Sequence, residues 1–417
     1  MSSNGERMTK DFPVMDCDGH IFEPQEIWTE YVEPEFQSAV REGMWKEDSP
    51  DGGWTIWLNG KLHREVKGPM AFFGAILVPG MDKNKLSRMN MGVDQFPVAR
   101  GAYDPQARLK DLDLMGIDQV MLLPTYCGMT FTCIEDPKAA LGLARAYNNW
   151  IADYCKAEPT RLFPAGIIPQ HDNDDTISEV RRLAELGFKC VIIRPNVIDG
   201  RYPAGPLFDP VWEAIQETGL VAGIHPFPAT PRHPADCTAW FIDRISEASG
   251  LRTGIVSETL CFAHDAQAFL MMAFHNDLWT KFPRLKLAVL ESNASWLPYI
   301  LDKANGRVKL WTATRGTEVK ARPSEIFMKR SWIAFESDEE TVFETWKRYA
   351  DIGVWASDYP HFDAEDAWEA IEHMNKWGVP KDVQAKMLGT NAYEMYGIEP
   401  KLIVTERLPL PDVPLPV

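Results

Sequence analysis

Three features are missing from this chain, and each absence excludes a class of protein. No stretch approaches the roughly 18 uninterrupted apolar residues that a membrane-spanning helix needs. The first residues, Met1 to Phe12, are polar and mixed in charge, without the apolar core of a signal peptide. The seven cysteines include no Cys-x-x-Cys pair, which fits reduced thiols better than a disulfide framework. We therefore expect a cytoplasmic protein that has no membrane partner.

Positive charge is also scarce. The chain has 43 Lys and Arg against 60 Asp and Glu, which gives a formal net charge of −17. Such a chain repels phosphate backbones and anionic lipid, so nucleic acid is excluded as a partner. An anionic substrate would need a local cluster of basic side chains or a metal ion.

What the chain does contain is a regular alternation of short apolar runs with longer helical patterns. This alternation is typical of a parallel α/β architecture, and eight runs favour a closed, TIM-like (β/α)8 barrel. The predicted strands are Val14–Asp18, Gln119–Pro124, Phe163–Ile168, Cys190–Arg194, Val221–His225, Leu287–Glu291, Trp332–Phe335 and Val354–Asp358. The predicted helices include Asp136–Glu158, Asp175–Leu186, Pro210–Thr218, Ala364–Lys376 and Lys381–Tyr396.

One long segment, residues 33–105, interrupts this rhythm after the first strand. It contains Asn59-Gly60 between apolar runs, which predicts a β-hairpin with a type I′ turn. We interpret the segment as a cap inserted into a single barrel domain that covers residues 1–417; a separate small domain is the alternative. Residues 226–253 are proline-rich and are predicted to form a lid loop. The proline-rich tail, residues 409–417, is expected to be extended or to pack on a neighbouring subunit.

Candidate metal ligands fall at the ends of three predicted strands. Asp18 and His20 are two apart, so both point to the same side of the first strand. His225 ends the fifth strand and Asp358 ends the eighth, on the face where barrel enzymes build their active sites. A single histidine there is more often structural, but four such residues together indicate a site. Two carboxylates and two imidazoles suit one divalent ion, Zn²⁺ or Mn²⁺.

The chain resembles the amidohydrolase superfamily, in the branch that includes aminocarboxymuconate semialdehyde decarboxylase and γ-resorcylate decarboxylase. The resemblance covers nearly the whole chain. The matching blocks are Met15-Asp-Cys-Asp-Gly-His-Ile-Phe-Glu23-Pro24, Arg108-Leu-x3-Asp113-x2-Gly116-Ile-Asp118, Tyr147-Asn148-x-Trp150, Lys281-Phe-Pro-Arg-Leu-Lys, Trp296-Leu-Pro, Ser357-Asp358-Tyr-Pro-His361 and Asn391-Ala-x2-Met-Tyr396-Gly397.

The resemblance implies a distorted barrel with one divalent metal, and it places Asp18, His20, His225 and Asp358 on the family's metal positions. The fourth strand, which ends at Arg194, offers no lysine for a carbamate bridge, and this argues against a two-metal hydrolase. Many relatives begin the first motif with His or Glu, where this chain has Asp18. The named decarboxylases have a catalytic histidine on the sixth strand, where this chain has Glu291.

Further candidate residues lie around these ligands, and the sequence leaves alternatives open for several of them. Glu291 is a candidate proton shuttle or a structural carboxylate, and His361 is a candidate catalytic or substrate contact or a packing residue. Asp358 is a candidate base as well as a ligand. Arg194 is a candidate clamp for a substrate carboxylate or part of a satisfied ion pair. Arg232 and His233, on the proline-rich loop, are weaker candidates for substrate binding.

These observations predict a metal-dependent, non-oxidative decarboxylase of aromatic or unsaturated carboxylic acids. The metal would act as a Lewis acid, and Glu291, His361 or a water molecule would donate the proton. A hydrolase of an amide, a lactone or a carbon–carbon bond on the same scaffold is the alternative. A binding protein that kept the fold is a third possibility, which the intact metal set disfavours. The long Trp-rich insertion leads us to expect a homodimer.

Overall fold

The protein was analysed as a computed structural model that describes residues 7–50, 53–67, 77–81, 99–227, 238–250, 254–315, 322–411 and 413. Its strands, numbered in chain order, are β1 (Met15–His20), β2 (Met44–Asp48), β3 (Trp54–Leu58), β4 (Lys61–Val66), β5 (Gln119–Leu123), β6 (Leu162–Ile167), β7 (Cys190–Ile193), β8 (Val221–Ile224), β9 (Lys286–Val289), β10 (Ser331–Phe335) and β11 (Gly353–Trp355). Across these ranges no helix has both the length and the apolar character needed to span a bilayer.

Eight of these strands form one parallel sheet in the order β1-β5-β6-β7-β8-β9-β10-β11. The strands β5, β7 and β8 are buried along their whole length, which explains why they are apolar runs rather than alternating ones. Past β11 the chain returns to β1, where the Asp358 amide donates to the Asp18 carbonyl at 3.0 Å and the His20 amide to the Tyr359 carbonyl at 2.7 Å. These bonds bring the two outer strands together, so the predicted TIM-like barrel and its eight strands are confirmed.

The predicted strands β8, β9 and β11 run one to three residues too far at their C-terminal ends. His225, Glu291 and Asp358 lie just beyond the strands. Two of them have left-handed backbone, with φ of 37° at Glu291 and 56° at Asp358. Left-handed backbone cannot continue a strand, and it turns these side chains into the barrel mouth.

Helices surround the barrel. They are Glu26–Glu30, Gln37–Gly43, Pro105–Met115, Tyr126–Thr130, Pro137–Cys155, Asn173–Glu185, Asp209–Thr218, Thr238–Ser249, Gly254–His275, Leu278–Lys281, Leu297–Arg315, Pro323–Arg330, Glu340–Glu344, Ala367–Lys376, Lys381–Ala385 and Asn391–Tyr396. The predicted helix over Lys381–Tyr396 is present, with a π-helical turn, Lys386–Thr390, between its two α-helical parts. A side chain at Gly389 in that turn would collide with the Pro13 carbonyl, so the helix approaches the N-terminal segment closely here.

The predicted hairpin is confirmed, and a third strand extends it. The strands β3 and β4 pair antiparallel across Asn59 and Gly60, whose φ values of 50° and 71° are those of a type I′ turn. β2 adds to the other side of β3. Trp54 is buried at ring distances of 6.3 Å from Phe22 and 5.1 Å from Tyr126, so the small sheet packs against the chain segments beside the barrel mouth.

The segment just before the proline-rich tail packs on its own chain. The Lys10 amide donates to the Thr405 carbonyl, and the Arg407 amide donates to the Met8 carbonyl. Asp118, which is buried, accepts the Val404 amide at 2.7 Å and the Lys10 ammonium at 2.5 Å. The two chain ends are thus joined below the barrel.

Candidate metal centre

Four barrel strands deliver ionisable side chains to one region at the C-terminal mouth. Asp18 and His20 lie on β1 and are fully buried. His225 follows β8, Glu291 follows β9 and Asp358 follows β11. Ligand atoms of the first four of these residues, without Asp358, all lie within 4.8 Å of one another. Asp358 forms a second group with His20 and His361.

The two imidazoles are the centre of this cluster. His20 Nε2 lies 3.3 Å from Asp18 Oδ1, 3.4 Å from Glu291 Oε2 and 3.5 Å from Asp358 Oδ1. His225 Nε2 lies 3.5 Å from Asp18 Oδ1 and 2.8 Å from Glu291 Oε2. The structure therefore brings together Asp18, His20 and His225 with Glu291, and it places Asp358 beside His20.

Backbone carbonyls fix the orientation of both rings. His20 Nδ1 is 2.8 Å from the Pro124 carbonyl, and His225 Nδ1 is 2.7 Å from the Pro226 carbonyl. A carbonyl only accepts hydrogen bonds, so each Nδ1 carries a proton and Nε2 is the ring nitrogen that can bind a metal ion in the cluster. The same arrangement holds metal-binding histidines in many proteins.

The cluster contains buried polar atoms that hydrogen bonding leaves unsatisfied. Within the described part of the chain, no hydrogen-bond partner is found for Asp18 Oδ1 and Oδ2, His20 Nε2, His225 Nε2, Glu291 Oε2 and Asp358 Oδ1. Buried polar atoms are rarely left in this state, and six converging ones need a common partner. A divalent cation fits, because imidazole nitrogen and carboxylate oxygen are its usual ligands.

The charge balance of the protein alone points to a cation as well. Burial lowers the pKa of His20, but the nearby Asp18 and Glu291 carboxylates outweigh burial and raise it to about 10. For His225, burial also lowers the pKa, and the same two carboxylates raise it to about 9. Burial and the neighbouring Glu291 carboxylate raise the pKa of Asp358 well above its usual value. The pocket is strongly electronegative.

A second layer of buried groups holds β1 against the segment after β11. Asp16 accepts the Ser357 hydroxyl at 2.6 Å and the Ser357 amide at 3.0 Å. Arg108 is fully buried and donates to the carbonyls of Gly101, Tyr359 and His20, with its guanidinium 4.6 Å from the centre of the Tyr359 ring. These bonds fix the backbone on both sides of the cluster.

Neither Asp16 nor Arg108 was assigned a role from the sequence. Asp16 alternates with Asp18 and His20 in the sequence, but β1 is irregular between Asp16 and Gly19, and the Asp16 side chain contacts Ser357 instead of joining the cluster. Arg108 lies in one of the matching blocks, but nothing in its neighbourhood indicates that its side chain reaches the carbonyl of His20.

His361 lies beside the cluster, next to Asp358. Its Nδ1 is 2.6 Å from Asp358 Oδ1, and its Nε2 is 3.2 Å from Thr125 Oγ1. Its ring lies 4.2 Å from that of His20. Burial, and next the charge of His20, lowers the pKa of His361 to about 3, so the ring is neutral.

Arg194, predicted to clamp a substrate carboxylate, is fully buried. Its Nη1 donates to the Met129 carbonyl at 2.6 Å, and its Nη2 donates to Asn196 Oδ1 at 3.1 Å. Its guanidinium also lies 5.3 Å from the Phe227 ring, which stacks on His225 at 4.1 Å. These contacts favour an architectural role that supports His225. They do not favour the predicted clamp.

Other acids surround the cluster. Glu23 accepts the amides of Thr125, Tyr126 and Cys127, so it holds the segment that follows β5. Glu336 follows β10, and burial raises its pKa well above the usual value. Arg232 and His233, the remaining predicted substrate contacts, lie outside the described residues.

Comparison with known proteins gives one family. A family model described as "Amidohydrolase" matches residues 16–398. The 2-amino-3-carboxymuconate-6-semialdehyde decarboxylase of Dictyostelium discoideum is 27% identical over 179 residues, which is 40% of this chain and only 49% of that protein. The gamma-resorcylate decarboxylase of Rhizobium radiobacter is 23% identical over 310 residues, which is 70% of this chain and 86% of that protein.

Solved structures share the fold. An amidohydrolase from Mycobacterium avium subsp. paratuberculosis K-10 has a TM-score of 0.73 at 20% identity, with 93% of this chain and 100% of that chain covered. A dihydroxybenzoic acid decarboxylase from Polaromonas sp. JS666, solved with bound manganese, has a TM-score of 0.60 at 17% identity. The match covers 93% of this chain and 97% of that chain. At these identities the likeness shows the fold.

Proposed function

The chain belongs to the amidohydrolase family, and from that premise we propose that it is a divalent-metal-dependent carboxy-lyase. It would remove carbon dioxide from an aromatic or unsaturated carboxylic acid without oxidation. The observation that carries the proposal is the convergence of six buried, unsatisfied donor atoms at the barrel mouth. The curated relatives, whose names are those of decarboxylases, support this reaction.

Asp18, His20, His225 and Asp358 would hold the ion. When bound, it supplies Lewis-acid stabilisation of negative charge on a substrate oxygen. Between Zn²⁺ and Mn²⁺ we propose Mn²⁺, because a donor set rich in carboxylate oxygen suits the harder ion. The manganese in the Polaromonas decarboxylase supports this choice.

We propose that His361 delivers the proton that replaces carbon dioxide on the substrate and that Asp358 positions it. His361 Nδ1 lies 2.6 Å from Asp358 Oδ1, so the carboxylate can orient the ring and stabilise its protonated form during the transfer. Thr125 Oγ1 holds the other ring nitrogen of His361 at 3.2 Å and keeps the ring in place. Glu291, the other predicted donor, is less suited because its Oε2 points at the two imidazoles.

The substrate is proposed to be a small carboxylate. Arg194 already donates to a backbone carbonyl and to the Asn196 side-chain oxygen, so another residue must bind the substrate carboxylate. Arg232 and His233 remain the proposed contacts.

The domain organisation, the oligomeric state and the cellular location of the protein are each proposed from a separate observation. A single domain over residues 1–417, with 33–105 as its cap, is supported by the packing of Trp54 on Phe22. A homodimer is supported by two exposed apolar side chains one turn apart on helix Thr238–Ser249, Phe241 at 59% and Ile245 at 49% exposure. A cytoplasmic location is supported by the buried free thiols of the described cysteines.

The test is carbon dioxide release. Protein stripped of metal and reloaded with Mn²⁺ is incubated with a panel of hydroxybenzoates and unsaturated carboxylic acids. We expect release from at least one acid, its loss on chelation and its return with added Mn²⁺. A parallel panel of esters, lactones and amides is the control. Hydrolysis of these compounds without carbon dioxide from any acid would assign the chain to the hydrolases instead.

A further inference from the structure

We infer that Glu291 binds the metal ion directly, as a ligand in addition to Asp18, His20, His225 and Asp358, and sets the preference of the site for Mn²⁺ over Zn²⁺. The inference rests on the proposed function only in requiring a divalent ion at this site. It assigns a new role to a residue that the sequence predicts to be a proton shuttle or a structural carboxylate.

The distances around Glu291 are those of donors that share an ion. Two donors bound at about 2.1 Å lie roughly 3.0 Å apart at right angles and roughly 3.4 Å apart at tetrahedral angles. Glu291 Oε2 lies 2.8 Å from His225 Nε2 and 3.4 Å from His20 Nε2. Asp18 Oδ1 has the same relation to the two rings, at 3.5 and 3.3 Å. Glu291 and Asp18 therefore face the imidazoles in equivalent positions.

The short approach of Glu291 to His225 requires a cation between the two side chains. Since His225 Nδ1 uses its proton on the Pro226 carbonyl, Nε2 of a neutral ring is an acceptor. A carboxylate oxygen is also an acceptor, so the two atoms are held together by a proton on Nε2 in the metal-free protein and by the ion in the metal-bound one. Neither atom has another hydrogen-bond partner among the described residues.

The backbone holds Glu291 in this orientation at a cost. Its φ of 37° is left-handed, which is unfavourable for a residue other than glycine and is typical of functional positions. The strand before it is pinned to β8, because the Leu290 amide donates to the Ile224 carbonyl at 2.9 Å. The chain after it is pinned by Glu339, which accepts the amides of Ala294 and Ser295. The carboxylate is thus positioned before any ion binds.

Direct ligation has a consequence for metal choice. A glutamate where the named decarboxylases have a histidine replaces a softer nitrogen donor with a harder oxygen donor. Oxygen donors suit Mn²⁺, whereas imidazole suits Zn²⁺. With Asp18 and Asp358 the mouth then offers three carboxylates, and Glu291 contributes to selectivity as well as to affinity.

The test compares three variants by isothermal titration with Mn²⁺ and with Zn²⁺. Glu291→Gln removes the charge and keeps the shape, and Glu291→His restores imidazole. Glu336→Gln is the matched control, since Glu336 also follows a barrel strand but contacts Asn293, at 3.4 Å. Circular dichroism of the metal-free proteins shows whether each variant folds.

We expect Glu291→Gln to weaken Mn²⁺ binding by more than about 100-fold, beyond the range typical of groups that only orient a ligand. We expect Glu336→Gln to change Mn²⁺ binding less than threefold, and Glu291→His to shift the Mn²⁺-to-Zn²⁺ affinity ratio at least tenfold towards Zn²⁺. Mn²⁺ binding by Glu291→Gln that is weakened less than 100-fold, or an unchanged affinity ratio in Glu291→His, would overturn the inference. If the unaltered protein binds neither ion, the proposed function fails instead.

Discussion

Arg108 offers a test of whether buried groups outside the cluster control the metal centre. Its guanidinium donates to the carbonyls of His20, Tyr359 and Gly101, and so joins a proposed ligand to the residue that follows Asp358. Arg108→Met keeps most of the apolar volume but leaves three buried carbonyls without their charged donor. Losing a buried charged donor of this kind costs about 3–5 kcal/mol of the free energy of unfolding.

Metal binding distinguishes a role of Arg108 in positioning the metal ligands from a general contribution to the stability of the fold. We expect Arg108→Met to weaken Mn²⁺ binding by about 10- to 100-fold, the range found when a group that orients a ligand is removed. Arg161→Met is the matched control, because Arg161 also donates to two backbone carbonyls, those of Asp118 and Ile117, but at the opposite end of the barrel.

The assay is chemical denaturation of the metal-free proteins, followed by Mn²⁺ titration of the folded variants. Both variants are expected to lose stability, and only Arg108→Met is expected to lose metal affinity. Arg108→Lys, which keeps the charge but loses the forked geometry, replaces Arg108→Met if that variant does not fold. An Arg108 variant that binds Mn²⁺ as tightly as the unaltered protein would refute the reasoning.

Three further predictions follow from single features. The pKa values of His20 and His225 are raised to about 10 and about 9 in the protein without metal. Their stabilising contribution is therefore complete below about pH 6.5 and is lost as the pH rises through 9 to 10. The melting temperature of the metal-free protein should fall over this pH range, and a rise would contradict the electronegative pocket. Ser357→Ala removes the hydroxyl that donates to Asp16 at 2.6 Å and should lower the free energy of unfolding by about 1–3 kcal/mol in denaturant titration. Gly60→Ala strains the left-handed hairpin turn at φ 71° and should destabilise the protein by roughly 1 kcal/mol, whereas equal stability would place the turn elsewhere.

The barrel could be predicted from the sequence because parallel strands buried on both faces are continuous apolar runs. Cys190–Ile193 and Val221–Ile224 are examples, since every residue in them is buried. Their C-terminal ends could not be placed, because the strand pattern continues into His225 while the backbone leaves the sheet. The π-helical turn within Lys381–Tyr396 was also hidden, since the close approach of Gly389 to Pro13 leaves no mark in the local sequence pattern.

The candidate site was predictable where ligand types sit at strand ends, as with Asp18, His20 and His225. The relation of Glu291 to these residues was not, because it depends on a left-handed turn that follows β9. Arg194 shows that a suitable residue type at a strand end can also mislead the prediction. An arginine at a strand end has the chemistry of a carboxylate clamp, but its partners are carbonyls supplied by loops far away in sequence.

The central claim is that the convergent side chains at the barrel mouth hold one divalent ion. Elemental analysis of protein purified without added metal tests it most directly, beside His225→Ala and Asp18→Ala variants whose fold is checked by circular dichroism. The account predicts about one equivalent of manganese or zinc per chain, lost in both variants. Protein that contains no metal, and takes up neither Mn²⁺ nor Zn²⁺ on dialysis, would contradict it.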